Sequence, residues 1–209
     1  MKEYSNVVFY DSTVLEEDIL VKGSIRALKN LETKSITIDG SLEVREELNC
    51  HGDLQINGFA EVGGKILAEK IIIYGDVVAK AINGEIVRIS GNAKISQEIK
   101  AAKSAHLVLT PRKREYAVNG WIEAPEIILQ MRILYSKLSR LPGKILKRLG
   151  RQKQFKKEHV IKNLKIRGKK LVLASPQPPD RVNYEFVNCE INVQEKEFIQ
   201  MPYELETSC

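Results

Sequence analysis

Aromatic side chains make up only 6% of the 209 residues, with a single tryptophan, so a core built on stacked rings is excluded. Cysteine is scarce as well. Cys50, Cys189 and Cys209 are an odd number without close spacing, which argues against a disulfide framework and a Cys-rich zinc site. No apolar run approaches the ~18 residues that a membrane-spanning helix needs. The opening residues, Met1-Lys2-Glu3-Tyr4-Ser5-Asn6, lack a basic stretch followed by an apolar one, so no secretory signal is expected and a cytoplasmic location is. Ile, Val, Leu and Gly are plentiful instead. A chain of this length can bury an aliphatic core without covalent staples.

The net charge of +6 is unevenly placed. Met131 to Glu158 holds ten Lys or Arg and one acidic residue, which leaves the rest of the chain slightly negative. Basicity therefore belongs to one segment.

Five short apolar stretches end in glycine, at Gly23, Gly40, Gly58, Gly75 and Gly91, separated by 17, 18, 17 and 16 residues. Four residues before each glycine, or nearly so, stand Ile19, Ile36, Leu54, Ile71 and Val87; two before it stand Val21, Ile38, Ile56, Ile73 and Ile89. After it, Ile25, Leu42, Ala60, Val77 and Ala93 lead a second alternating set, and Leu31, Leu48, Ile66, Ile82 and Ile99 mark a third. Three bursts of two-residue alternation per period of roughly seventeen predict a mainly β, three-sided parallel β-solenoid, each turn stacked on the last. The glycines are expected at corners, where their freedom in φ suits a bend. A further turn is expected around Gly120, which makes about six over residues 15–124, after an N-terminal lead of residues 1–14.

Beyond Pro125 the period changes. Ile127, Met131, Leu134, Leu138, Leu141 and Ile145 are spaced four, three, four, three and four apart, which predicts a basic amphipathic helix within residues 125–158, kinked at Pro142-Gly143. Strand signals return over residues 159–200, at Leu164 to Gly168, Leu171 to Leu173, Tyr184 to Phe186 and Cys189 to Val193, before a tail of residues 201–209. They fit further turns or a small separate sheet.

The stretches Ile36-Thr37-Ile38-Asp39-Gly40-Ser41-Leu42-Glu43-Val44 and Ile71 to Ile82 resemble the repeat of bactofilins, the polymer-forming β-helical cytoskeletal family of bacteria. The resemblance covers about residues 15–124. It implies a right-handed β-helix that joins end to end into filaments without nucleotide, and so a scaffold that binds itself and positions partners. The chain departs from the family in the basic segment and the strand-rich region that follow the repeat.

Chemistry is hard to find. Left-handed hexapeptide solenoids often house acyltransferases, but turns that drift between 16 and 18 residues fit that six-residue period badly. His51 falls at a turn, His106 precedes a strand and His159 ends the basic stretch; none has a partner at metal-ligand spacing. Gly63-Gly64-Lys65 lacks the pattern of a phosphate loop and reads as a bend. Cys50 reads as a buried structural thiol. No catalytic, cofactor or metal site is expected.

Lys137, Arg140, Lys144, Lys147, Arg148, Arg151, Lys153, Lys156 and Lys157 surround the aliphatic stripe of the predicted helix. The plainest reading is a packed helix with a solvated back. Read as functional, this face suits an anionic membrane, on the inner face if the protein is peripheral, more than nucleic acid, because few rings accompany the charges. The leading expectation is thus a self-associating scaffold, the alternative an adaptor that binds a membrane or partner through its basic half, and the third a β-solenoid acyltransferase.

Overall fold

The structure, a computed structural model, describes residues 1–109, 116–131, 157–176 and 182–201. They form a parallel β-solenoid. Every pairing within its two main sheets is parallel: a 12-stranded sheet runs from Lys2–Tyr4 through Thr13–Val21, Leu31–Ile38, Lys65–Ile73, Ala81–Ile89 and Ile99–Leu109 to Lys165–Ser175 and Glu190–Gln200, and a 7-stranded sheet runs from Val7–Phe9 to Tyr116–Val118.

The long strands of this sheet bend. In Leu31–Ile38 the buried residues are Leu31 and Thr33, then Ile36 and Ile38, so the inward phase slips by one residue at Lys34. The bend breaks one turn into Leu48–Cys50 and Asp53–Ile56, and another into Trp121–Glu123 and Glu126–Met131. With the short strand of the other sheet, Ser41–Val44 for example, a turn has three inward-facing runs. β-Branched side chains suit this pleated, half-buried surface. Ile19, Val21, Ile36, Ile38, Leu54, Ile56, Ile71, Ile73, Val87 and Ile89 are all at least 99% buried and stack in two columns along the second run. Full burial of each such side chain stabilises by roughly 1.5–3 kcal/mol.

Gly23, Gly40, Gly58, Gly75 and Gly91 occupy the corner between the second and third runs. None has a φ in the left-handed region, so the expected reason for glycine here is corrected. A Cβ on Gly75 would overlap the carbonyl oxygen of Gly58, and the same overlap recurs from Gly40 to Gly23, Gly58 to Gly40 and Gly91 to Gly75. That oxygen is also an acceptor: Asp76 N–H donates to Gly58 O at 2.9 Å and Phe59 N–H to Gly40 O at 3.0 Å. The turns approach so closely at this corner that no side chain fits between them. Ahead of Val7–Phe9, Ser5 and Asn6 take the corner instead, with Asn6 at φ 56° and its Oδ1 accepting from Ser24 N–H at 3.4 Å.

The ladder begins earlier than residue 15. Lys2 pairs with Ile19, Tyr4 with Val21, and Val7–Phe9 with residues 25–27. It also continues past residue 124. Lys165–Ser175 pairs with both Trp121–Glu123 and Glu126–Met131, and Glu190–Gln200 pairs with Lys165–Ser175, so these strands are further turns. Lys157–Lys162 and Val182–Val187 pair with each other in a two-stranded sheet.

The helix expected over residues 125–158 is corrected at both described ends: residues 126–131 are a strand, and Lys157 opens another. The reason is burial on both sides. Leu129, Gln130 and Met131 are all buried, as are Leu171 to Ser175 beside them. Such a strand loses its alternation, and Ile127 and Met131, four apart, satisfy a period of two as well as one of 3.6. His106 lies within Ile99–Leu109 rather than ahead of a strand.

Candidate assembly site at the solenoid ends

Among the described residues no group of three or more His, Cys, Asp or Glu can hold a metal ion, and no helix is long and apolar enough to cross a membrane. His51 is exposed at the break before Asp53–Ile56, its Nε2 2.6 Å from Glu32 Oε1. His106 Nε2 lies 2.8 Å from Gln130 Oε1, which gives that buried amide a partner. Gly63 and Gly64 form the bend between Phe59–Val62 and Lys65–Ile73. Cys50 is buried, its Sγ 3.4 Å from Lys34 O and 3.3 Å from Asp53 O. Burial pushes its thiol up from the ordinary value, although hydrogen bonds from the Gly52 and Ile36 backbone oppose this. Thr33 is a core residue that hydropathy alone does not reveal; its hydroxyl donates to Ser35 O at 3.0 Å.

The outer surface is a set of pairs between neighbouring turns. Arg26 meets Glu43 at 2.7 Å, Lys29 meets Asp11 at 2.8 Å, and Arg167 meets Glu123 at 2.9 Å while lying 4.4 Å over the Trp121 ring. The hydrogen bond from Lys29 holds the Asp11 carboxyl below its usual range. Asn57 Nδ2 donates to Asp39 Oδ1, and Asn92 Nδ2 to Asp76 Oδ1, both at 2.7 Å. Solvent screens exposed pairs of this kind, so each contributes little to stability. They tie turn to turn.

The ends differ from this surface. Among the described residues, Lys2–Tyr4 has a strand partner on one side only, as has Val7–Phe9. Tyr4, Phe9 and Leu15 lie half-buried against the core, with the Tyr4 and Phe9 rings edge to face at 6.2 Å. Val8, Tyr10 and Val14 stand exposed around them. Lys2 is drawn to the edge of this apolar section: its Nζ is 3.1 Å from Glu17 Oε1 and 5.2 Å from the Tyr4 ring centre. Tyr4 Oη donates to the same carboxylate oxygen at 3.3 Å. The hydrogen bond to Glu17 raises the Lys2 ammonium above its ordinary value, and Tyr4 adds to it.

At the other end, Glu190–Gln200 is the outermost described strand of the long sheet. Ile191 and Val193 pack on the core, whereas Lys196, Phe198 and Gln200 are exposed, the Phe198 ring 5.8 Å from Tyr184. Lys196 pairs with Leu171, and thereby ends the column that Lys2 begins. Eight aliphatic residues, from Ile19 to Leu171, stand between the two lysines.

Of the nine basic residues singled out above, Lys137, Arg140, Lys144, Lys147, Arg148, Arg151, Lys153 and Lys156 lie outside the described residues. In chain order their segment, residues 132–156, stands between the Glu126–Met131 and Lys157–Lys162 strands. Compared with known protein families, characterised proteins and solved structures, the chain matches none.

Proposed function

We propose that this protein is a bactofilin-like structural scaffold that associates end to end with its own kind, without nucleotide, and positions partners. One observation carries the reading: among the described residues, the Lys2–Tyr4 and Val7–Phe9 strands leave an apolar cross-section and a row of backbone groups open to pairing. An open strand edge above a dry core favours another such edge over water. Sedimentation velocity and electron microscopy across protein concentration, at low and high salt, test it. The expected result is a mass that rises with concentration. A monomer throughout, in both salts, sinks the reading.

A second reading rests on the charge of two segments. Residues 110–115 and 132–156 carry twelve Lys or Arg and one acidic residue. A polybasic sequence interleaved with aliphatic residues suits an anionic membrane, at about 1 kcal/mol per basic residue near the surface. Vesicles rich in anionic lipid are expected to co-sediment the wild type and to release the Lys144→Glu, Lys147→Glu, Arg148→Glu, Arg151→Glu variant. Salt is expected to weaken the binding as the Debye length shortens. Equal pelleting of both proteins, or of neither, removes this reading.

A further inference from the structure

We propose that two copies join through their N-terminal ends and that the C-terminal end is built to stop further stacking, so that assembly closes at two. This rests on the scaffold reading above and specifies which end makes the contact.

The warrant is the pair of lysines that close one inward column. In a parallel ladder, paired residues share a side, so Lys2 stands where Ile19 and Ile36 stand below it, and Lys196 stands where Leu171 does. If a second copy continued the ladder head to tail, the register that keeps all inward runs aligned would set Lys196 against Lys2. A one-residue slip would turn every side chain to the wrong side. The aligned contact buries two ammonium groups, one above the other, in an otherwise aliphatic column. An uncompensated buried charge costs several kcal/mol, and a like charge beside it adds to that.

The two ends handle their lysine differently. Lys2 has Glu17 at 3.1 Å, and Tyr4 offers both a ring face and a hydroxyl bound to that carboxylate. A two-fold contact between N-terminal ends therefore buries compensated lysines together with the Tyr4 and Phe9 rings, and it uses the open edges of both copies. Lys196 has no such arrangement among the described residues. Its neighbour Glu197 is bonded to Lys170 on the other side of the strand. A two-fold meeting of two C-terminal ends runs the Glu190–Gln200 strands antiparallel and presses the uncompensated Lys196 of each copy onto the apolar section of the other. Inward-pointing charge on a terminal strand is a recognised way of blocking edge pairing.

The test is the mass of the full chain by sedimentation velocity over a concentration series, for the wild type, Glu17→Lys and Lys196→Leu, with thermal melts to confirm folding. The wild type is expected to plateau at two copies. Glu17→Lys, which leaves Lys2 without its carboxylate, is expected to raise the dimer Kd at least about tenfold. If it fails to fold, Glu17→Gln is expected to move Kd the same way by less. Lys196→Leu completes the column and is expected to carry the mass beyond two copies. Growth of the wild type past two without a plateau overturns the inference, and so does a dimer indifferent to Glu17→Lys or a Lys196→Leu protein that still stops at two. A monomeric wild type removes the scaffold reading and the N-terminal contact with it, and Lys196→Leu then decides separately whether Lys196 is a stop.

Discussion

Ile73→Asp abolishes cooperative folding, or leaves a protein that melts far below the wild type. Ile73 is fully buried between Ile56 and Ile89 in its column. A carboxylate there has neither water nor a cationic partner, and an unpaired buried charge costs at least several kcal/mol. Domains are stable by only about 5–15 kcal/mol, so that loss is comparable to the whole. Protonation of the new side chain relieves part of the cost, and the variant is therefore expected to be least stable at neutral and alkaline pH. Ile73→Val is the matched control, expected to lose only about 0.5–1.5 kcal/mol. Circular dichroism melts and urea titrations of both variants measure this. A soluble Ile73→Asp protein as stable as Ile73→Val would show that the column does not face a dry interior.

Gly75→Ala is the second large effect, and its size comes from backbone rather than from side chains. The added methyl would overlap the Gly58 carbonyl oxygen, an atom that accepts from Asp76 N–H and cannot swing aside without breaking that bond. Adjacent turns must separate at this corner, and an expected loss on the order of 3 kcal/mol follows. Gly52→Ala provides the contrast. Its nearest neighbours are Ser35 Oγ at 2.8 Å, which can rotate away, and Lys34 O at 3.2 Å, so less than about 1 kcal/mol is expected. If the two substitutions prove equally mild in urea titration, close packing of turns does not explain why glycine holds that corner.

The regular turns could be read from sequence because each inward position recurs at nearly constant spacing and each outward one is polar. Ile36-Thr37-Ile38 announces its orientation by itself. Glu126–Met131 does not, because burial on both sides erases the alternation. The first strands were hidden for a different reason: Lys2 and Asn6 stand where an aliphatic residue and a glycine recur in later turns. Lys196 escaped notice likewise, since it puts a charge in a column that is aliphatic in the turns before it. The lysines at the ends are thus the residues that a search for repeats discards. Thr33 was hidden because a buried hydroxyl that binds the nearest backbone carbonyl leaves no trace in hydropathy.

The spacing of the ladder also bears on how the chain acquires its shape in time. Parallel strands usually demand long crossovers, yet here Ile36 meets Ile19 across 17 residues and Ile71 meets Leu54 across the same distance. Each new turn closes a short loop onto a template already formed, so ordering can spread along the regular part as a zipper does. The step from Ile122 to Ile166 spans 44 residues. Loop closure grows only as the logarithm of length, which makes that step harder by roughly 0.8 kcal/mol. Docking of Lys165–Ser175 is therefore expected to lag behind the regular turns, and until it happens the Glu126–Met131 edge is one at which nascent chains could pair with one another.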